Sequence, residues 1–257
     1  MRFTKMQGIG NDYIYIDCFS QRVDNPEQLS VAMSAPHFGV GSDGLILVLP
    51  SDRADVRMRM FNRDGSEGAM CGNGARCVAR FAYEHALVSK TAFTLEAGGN
   101  LYPVSLTLEQ GRVASICVDM GAPGLLKVEP AWTRVTVGND HVVRFVADDP
   151  FAIPDADFER QAAPLCHEMD ANIEFVRPLA ENQLQMRVYE RGSGETLACG
   201  SGACAALVAA QTAGLCGREA TVVLRGGALH IHWRASDGHV LMTGPAETVF
   251  EGEWGEA

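Results

Sequence analysis

The amino-acid sequence predicts an α+β fold of two lobes related by a pseudo-twofold axis, each lobe a curved, mostly antiparallel sheet around a central helix. Three observations predict this fold. The chain of 257 residues repeats at an offset of 128 positions, both halves contain segments of alternating hydrophobicity, and each half has one Gly-rich turn before an Ala-rich segment. The predicted lobes are residues 1–123 and residues 124–257, and the final strand is a candidate to return to the N-terminal lobe.

The repeat needs no gap from Gly10, which aligns with Gly138, to Gly99, which aligns with Gly227. The same offset, 199 minus 71, aligns further identical residues: Asn11 with Asn139, Pro50 with Pro178, Arg63 with Arg191, Glu67 with Glu195, Cys71 with Cys199, and Leu87 with Leu215. Two copies are too few for a solenoid, so the repeat predicts paired lobes. A cleft between two lobes is a common place for a small-molecule site.

The strands and helices can be predicted twice, once in each copy. Residues 56–61 (VRMRMF) and 184–189 (LQMRVY) alternate apolar and polar side chains, which is typical of half-buried strands. The segments GARCVARFAYEHAL and GACAALVAAQTAGL are rich in Ala and free of Pro, which predicts helices, and the second is apolar enough for a buried one. Further strands are predicted at residues 92–97, 111–120, 220–227 and 230–233.

Composition excludes several classes of protein. The net charge is −11 and the chain has no run of Lys or Arg, so a nucleic-acid partner is not expected. The N-terminus lacks the apolar region of a signal peptide, and no segment is apolar enough to span a membrane, so we expect a cytoplasmic protein. Most of the eight cysteines should then be reduced and buried, and their spacing does not favour a metal site.

The most unusual feature is a pair of Cys-Gly-x-Gly-Ala turns that begin at Cys71 and Cys199. Each turn falls between a predicted strand and a predicted helix, where backbone N–H groups lack partners and the helix dipole is positive. Glycines in the turn allow a carboxylate to approach these N–H groups. The same field should lower the thiol pKa from its free value of about 8.5 toward neutrality.

A single cysteine beside a glycine turn is usually a small buried hydrophobe, but two at matched positions favour chemistry. Two thiols on opposite sides of one substrate carbon could remove a proton from one face and deliver a proton to the other. This arrangement predicts two-base racemisation or epimerisation. Cys77 and Cys204 do not share a register, because 204 minus 128 is 76, and we expect them in the core.

Four segments resemble the diaminopimelate epimerase family, a member of the cofactor-independent racemase superfamily that includes proline racemase: KMQGIGNDYIYID, FNRDGSEGAMCGNGARC, ANIEFV and YERGSGETLACGSGACAA. The resemblance runs from Met1 to about Pro245. It implies the two-lobed fold of that family and epimerisation of LL-diaminopimelate to the meso form, for lysine and peptidoglycan precursor synthesis. It also implies a homodimer that uses neither a metal nor pyridoxal phosphate.

The resemblance also assigns residues. Cys71 and Cys199 match the catalytic thiols, while His141 and Glu190 match residues that set thiol protonation. The residues expected to bind substrate are Asn11, Asn62, Gly72, Asn73, Asn139, Asn172, Glu190, Arg191, Gly200 and Ser201. The residues at the two helix N-termini would hold the α-carboxylate: Gly72, Asn73, Gly200 and Ser201. Arg191 would hold the distal carboxylate.

Asp140 departs from the pattern of the family, which usually has Pro between Asn139 and His141. We expect Asp140 either to raise the His141 pKa or to shift the preference for substrate. The alternative functions are therefore a racemase of another amino acid, such as histidine, and an isomerase with a carboxylate base. From other classes, a noncatalytic binding protein with duplicated lobes and a thiol redox protein remain alternatives.

Overall fold

A computed structural model of the chain describes residues 1–255. Its contacts cluster into two units. The first unit contains Met1–Val118 and the chain from Gly244 onward, and the second contains Asp119–Thr243. The boundary that we predicted from the sequence lies five residues later, at 124 against 119.

The elements follow one another in chain order. The chain from Met1 to Asp119 forms β1 (Arg2–Gly8), β2 (Asn11–Asp17), α1 (Pro26–Ser34), β3 (Gly44–Leu49), β4 (Val56–Asn62), β5 (Glu67–Gly68), α2 (Gly72–Glu84), β6 (Ala92–Ala97), β7 (Asn100–Glu109) and β8 (Arg112–Asp119). The rest forms β9 (Gly124–Glu129), β10 (Trp132–Val137), β11 (Asn139–Phe145), a 3-10 turn (Pro150–Ala152), α3 (Asp155–Met169), β12 (Asn172–Ala180), β13 (Gln183–Glu190), β14 (Gly194–Thr196), α4 (Gly200–Thr212), β15 (Glu219–Leu224), β16 (Gly227–Trp233), β17 (Val240–Gly244) and β18 (Glu247–Glu253).

The first unit contains a mixed sheet in which antiparallel pairs predominate. Strands β18, β1 and β2 pair antiparallel in that order, and β2 then pairs parallel with β3. Next, β3 pairs antiparallel with β4, which pairs antiparallel with β5 and parallel with β6. The antiparallel strands β6, β7 and β8 complete the series. The final strand of the chain therefore lies beside the first.

The second unit repeats the same series of pairings. Strands β9, β10 and β11 pair antiparallel, β11 and β12 parallel, β12 and β13 antiparallel, and β13 and β15 parallel. The offset of 128 carries the bounds of β2 onto those of β11 and the bounds of α2 onto those of α4. Even the parallel register agrees, because Ile14 lies opposite Leu45 and His141 opposite Asn172, 31 positions apart in both units.

Each sheet surrounds one buried helix. In α4 the residues from Gly202 to Ala210 are all buried, and the helix packs against β10, β11, β12, β13, β15 and β16. Helix α2 packs against β1, β2, β3, β4 and β7. Small side chains such as Ala let these strands approach the helix closely. The predicted α+β class and both central helices are confirmed.

The outer helices α1 and α3, which we did not predict from the sequence, cover the far side of each sheet. Met33 of α1 joins a core cluster with Ile14 and Phe61. Phe158 of α3 meets Phe175 edge to face, with ring centroids 5.2 Å apart. These helices bury the second face of the parallel strands.

A repeated ion pair fixes the short strand before each cysteine. Arg59 donates two hydrogen bonds to Glu67 at 2.8 and 2.9 Å, and Arg187 donates two to Glu195 at 2.6 and 2.7 Å. The Arg59 side chain is 30% exposed, whereas that of Arg187 is fully buried and also donates to the carbonyl of Pro150. The pair therefore has the same geometry in two different environments.

We expect Arg187→Met to lower the free energy of unfolding by about 2–4 kcal/mol, since it leaves buried acceptors without a donor. The matched control Arg59→Met should cost less than about 1 kcal/mol, because water can replace its bonds. Urea unfolding followed by far-UV circular dichroism measures both changes. Equal losses in the two variants would contradict this assignment.

Candidate active site

The two Cys-Gly turns have the same backbone geometry. Cys71 caps α2 with φ −128° and ψ 120°, and Cys199 caps α4 with φ −129° and ψ 110°. The backbone N–H of Gly74 donates to the Cys71 sulfur at 3.3 Å. The prediction that each cysteine stands at a strand-to-helix junction is therefore confirmed, and each thiol lies at the positive end of a buried helix.

The second glycine of each turn is required by packing. A Cβ at Gly74 would lie 2.8 Å from the Cδ1 atom of Ile46, and a Cβ at Gly202 would lie 2.8 Å from Oε1 of Glu174. We expected these glycines to admit a substrate carboxylate. That expectation stays a prediction, and the two glycines also let the first turn of each helix approach the strand beneath it, β3 in one unit and β12 in the other.

On the first unit, an asparagine connects the thiol to a partly buried carboxylate. Cys71 donates to Oδ1 of Asn11 at 3.3 Å, and Nδ2 of Asn11 donates to Asp43 at 2.8 Å. The backbone N–H of Asp12 also donates to Asp43, whose pKa is raised by burial. Because Asp43 accepts from the amide nitrogen, the amide oxygen of Asn11 faces the thiol. Sequence reasoning missed Asp43, which has no acidic equivalent in the second copy.

On the second unit, Cys199 is 5% exposed and lies 3.6 Å from the hydroxyl of Ser201. Burial raises the pKa of the Cys199 thiol well above its ordinary value, and the charges of Glu190 and Glu174 raise it further. Hydrogen bonds from Ser201 and from the backbone of Gly202 lower it by less. Our prediction of a lowered pKa is wrong for Cys199, because the loss of hydration outweighs the field of the helix.

Glu190 lies next to this thiol. Its carboxylate accepts a hydrogen bond from the hydroxyl of Thr196. Burial raises the Glu190 pKa, while hydrogen bonds with Thr196 and Cys199 and the charge of His141 lower it by less. The structure thus brings together three of the predicted residues of the second unit.

His141 has a partner that sequence reasoning missed. Its Nδ1 atom is 2.6 Å from Oε1 of Glu174, and both side chains are fully buried. Among the described residues, neither Nε2 of His141 nor Oε2 of Glu174 has a hydrogen-bond partner. An acidic residue within the apolar segment ANIEFV is the signal that could have identified it.

Asp140 does not contact the His141 ring. Successive side chains of a strand point to opposite faces, and the Asp140 carboxylate pairs with Nη2 of Arg134 at 2.5 Å. Asp140 is partly exposed, whereas His141 is fully buried. The geometry therefore does not support a contact between Asp140 and this histidine, and Glu174 is the carboxylate that contacts the ring.

The other predicted binding residues of the first unit surround the start of α2 or end β4. Gly72 and Asn73 are buried in the first turn of α2. Asn62, the last residue of β4, donates from Nδ2 to the hydroxyl of Ser66 at 2.9 Å. Its side chain therefore helps to shape the loop that leads toward Cys71.

The binding residues of the second unit form two groups. Gly200 and Ser201 open α4, directly after Cys199. Asn172 starts β12 and accepts from the backbone N–H of Arg191 at 2.9 Å, while Asn139 starts β11 and is exposed. The guanidinium of Arg191 is 52% exposed and pairs with the exposed carboxylate of Asp170 at 2.9 Å.

The remaining cysteines are all free thiols. Cys77 and Cys204 lie inside α2 and α4 and are fully buried, as predicted. Our wider prediction that most cysteines are buried is wrong, since only four of the eight are, the other two being Cys166 and Cys199. The others are partly exposed: Cys18, Cys71, Cys117 and Cys216. Cys18 follows β2 and Cys216 follows α4, where the chain leaves the core.

Across residues 1–255 no three His, Cys, Asp or Glu side chains are grouped so that they could hold a metal ion. Every helix in this same range is too short or too polar to cross a bilayer.

Comparison with known proteins identifies the family. The sequence profile of the family described as diaminopimelate epimerase matches residues 3–126 and 133–249. The chain belongs to the diaminopimelate epimerase family. The diaminopimelate epimerase of Methanococcus maripaludis is 45% identical over 98% of this chain and 99% of the relative. That of Desulfovibrio desulfuricans is 44% identical over 99% of this chain and 98% of the relative.

A solved structure also has this fold. A phenazine biosynthesis protein of the PhzF family from Bacillus anthracis superposes with a TM-score of 0.75 over 98% of both chains. The sequence identity of 16% makes this a likeness of fold alone. The family predicted from the sequence, its two-lobed α+β fold and its class, an isomerase, are confirmed by these matches.

Glu190→Gln should raise the melting temperature at pH 8. The raised pKa of Glu190 means that its favourable contribution is complete below the pKa of glutamate in the unfolded chain, about 4.3, and is lost as the pH rises through the folded-state pKa. Glutamine does not ionise, so the variant keeps its stability as the pH rises. Thermal unfolding between pH 4 and pH 8 should show a difference from wild type that grows with pH.

Glu67→Gln is the control of opposite sign. Bonds from Arg59 lower the pKa of Glu67, so its contribution is present at neutral pH and is lost as the pH falls through the lowered pKa. That variant should melt below wild type at pH 8. A Glu190→Gln variant that also melts lower at pH 8 would show that its carboxylate stabilises the fold.

Proposed function

We propose that the chain converts LL-diaminopimelate to meso-diaminopimelate by two-base proton transfer, with Cys71 and Cys199 as the acid–base pair and no cofactor. The supporting observation is the pair of cysteine-capped helices. Each unit begins its buried central helix at a cysteine, with the same backbone angles and the same glycine spacing. A reaction that inverts one carbon needs two equivalent proton donors and acceptors, and this duplication supplies them.

The chemistry balances without an external reagent. One thiolate takes the α-proton, so the C–H bond breaks and its electron pair delocalises toward the α-carboxylate. The other thiol then donates its proton to the opposite face, and a new C–H bond forms. Backbone N–H groups at Gly72, Asn73, Gly200 and Ser201 would stabilise the charge that develops on the carboxylate.

The raised pKa of Cys199 suggests which protonation state begins the cycle. In the free enzyme Cys199 is a thiol, because burial and the charges around it oppose ionisation. We infer that Cys199 first acts as the acid, and that Cys71 acts as the base once it has released the proton that it donates to Asn11. For the opposite direction Cys199 must lose its proton, and His141 and Glu190 are the groups proposed to assist.

The distal end of diaminopimelate carries an ammonium and a second carboxylate. Arg191 is proposed to bind that carboxylate, since its guanidinium is half exposed and is held by an exposed ion pair with Asp170 and a 3.3 Å hydrogen bond to the Asp170 carbonyl. Such exposed pairs contribute about 1 kcal/mol or less, so substrate can replace Asp170 at little cost. Asn11, Asn62, Asn139 and Asn172 are proposed to position the substrate through amide hydrogen bonds.

The same proposal includes a homodimer that works in the cytoplasm and uses neither metal nor pyridoxal phosphate. The family resemblance supports the homodimer and the independence from metal and pyridoxal phosphate. Light scattering of the purified protein tests the dimer, which should have twice the mass of the 257-residue chain. Activity that survives dialysis against a chelator is expected, and dependence on added metal would contradict this part.

Cys71→Ala and Cys199→Ala should each reduce kcat/KM for LL-diaminopimelate by about 10²–10⁴-fold, since each removes one of two proton-transferring groups. Cys77→Ala and Cys204→Ala are matched controls, because these cysteines are buried within the same two helices. They should keep near-normal turnover. Near-normal turnover in either Cys71→Ala or Cys199→Ala would contradict the two-base mechanism.

Turnover of LL-diaminopimelate in deuterated water should place deuterium at one stereocentre only, because the distal carbon never loses its proton. Mass spectrometry and proton NMR of the product locate the label. If diaminopimelate shows no exchange and another amino acid, such as histidine, is racemised, the substrate is that amino acid and not diaminopimelate.

A further inference from the structure

The two cysteine sites differ at three equivalent positions. The offset of 128 carries Tyr13 to His141, Ile46 to Glu174 and Asn62 to Glu190. The backbone at these positions is equivalent, since each pair lies on corresponding strands of the two units. Every one of the three changes brings a carboxyl or imidazole group to the Cys199 site.

The fold itself does not require a carboxylate at position 174. In the first unit the equivalent slot beneath the helix holds Ile46, whose Cδ1 would lie 2.8 Å from a Cβ at Gly74. In the second unit Oε1 of Glu174 lies at the same 2.8 Å from a Cβ at Gly202. An apolar side chain therefore fills this slot in one copy, and a fully buried acid fills it in the other.

The buried acid is also incompletely satisfied. Oε1 of Glu174 is 2.6 Å from Nδ1 of His141, but its Oε2 atom and the Nε2 atom of His141 lack partners among residues 1–255. Buried polar atoms without partners destabilise the folded state. Stability alone would favour an apolar residue here, as at Ile46, so this dyad has a different use.

The groups that interact with Glu174 define its surroundings. They are His141 on β11, Glu190 at the end of β13, Cys199 at the start of α4 and Cys166 on α3. Glu190 hydrogen-bonds the Cys199 thiol and feels the charge of His141. Hydrogen bonds therefore join the thiol to Glu190 and His141 to Glu174, and the two pairs are linked through the charges of Glu190 and His141.

We propose that Glu174 is a positioning residue for the epimerase reaction: it keeps a proton on Nδ1 of His141, so that Nε2 is free to accept the proton that leaves Cys199. This inference rests on the proposed function. The S–H bond of Cys199 breaks as its proton passes to the Glu190 carboxylate, and Glu190 then gives up a proton to Nε2 of His141. A thiolate and an imidazolium result, and Glu190 is again a carboxylate. The carboxylate of Glu174 offsets the positive charge of the imidazolium.

The contact between Glu174 and Nδ1 determines which tautomer of His141 is favoured. An ionised carboxylate only accepts hydrogen bonds, so its 2.6 Å contact places the proton on Nδ1 and leaves a lone pair on Nε2. Without Glu174 the proton on Nδ1 loses this acceptor. In the first unit Tyr13 and Ile46 cannot form such a dyad, and Cys71 instead donates to Asn11.

Histidine NMR of the purified enzyme tests the tautomer directly and requires no turnover. With ¹⁵N-labelled histidine, His141 should show Nδ1–H and unprotonated Nε2 in the wild type, assigned by the loss of its signals in His141→Gln. In Glu174→Gln the tautomer should become mixed or change to Nε2–H. A wild-type His141 with its proton on Nε2, or an unchanged tautomer in Glu174→Gln, would overturn the proposal.

Kinetics then test the consequence for the reaction. We expect Glu174→Gln to lower kcat by about 10–100-fold with little change in KM, as for other residues that orient a catalytic histidine. On the basic side of the pH profile, the decline of kcat/KM should begin at a lower pH in Glu174→Gln than in wild type. The reason is that the variant lacks the negative charge that favours the protonated imidazole. Unchanged kcat and an unchanged pH profile would overturn the proposal.

Glu174→Asp separates positioning from packing. It keeps the charge but shortens the side chain, so it should recover part of the rate that Glu174→Gln loses, whereas a packing role would make it the worse variant. Glu174→Asp with no more activity than Glu174→Gln overturns the proposal. If wild type does not epimerise diaminopimelate, the proposed function fails, while the NMR result still decides the role of Glu174.

Discussion

The structure of each unit depends on the burial of one helix inside a mixed sheet. Strands pack against α4 on so many sides that none of the residues from Gly202 to Ala210 reaches solvent. A helix buried in this way must begin at a defined point, because its first N–H groups need acceptors. In both units that point is a cysteine, and the position of the thiol follows from the packing of the helix.

Burial also decides the chemistry of the thiol at Cys199. A helix N-terminus favours the thiolate, whereas removal from water and two nearby carboxylates favour the thiol. The second group of effects is the larger one. A thiol that stays protonated in the free enzyme is suited to donate a proton, and it then needs neighbouring groups to hold a proton when it must act as a base.

Duplication gave this chain two copies of one backbone with different side chains at the cysteines. The pairing of strands, the register of β2 with β3 and of β11 with β12, and the helix caps agree between the copies. The buried side chains beneath the helices do not agree, since Ile46 corresponds to Glu174. Equivalent architecture therefore supports two thiols with unequal surroundings.

The sequence by itself determined the repeat, the central helices, the cysteine turns and the family, because these depend on local spacing and periodicity. Only the tertiary structure decided which side chains meet. Glu174 reaches His141 through the parallel pairing of β11 with β12, 33 positions along the chain, while the adjacent Asp140 points away toward Arg134. Sequence proximity suggested Asp140, but alternation along a strand separates neighbours and pairing between strands joins distant residues.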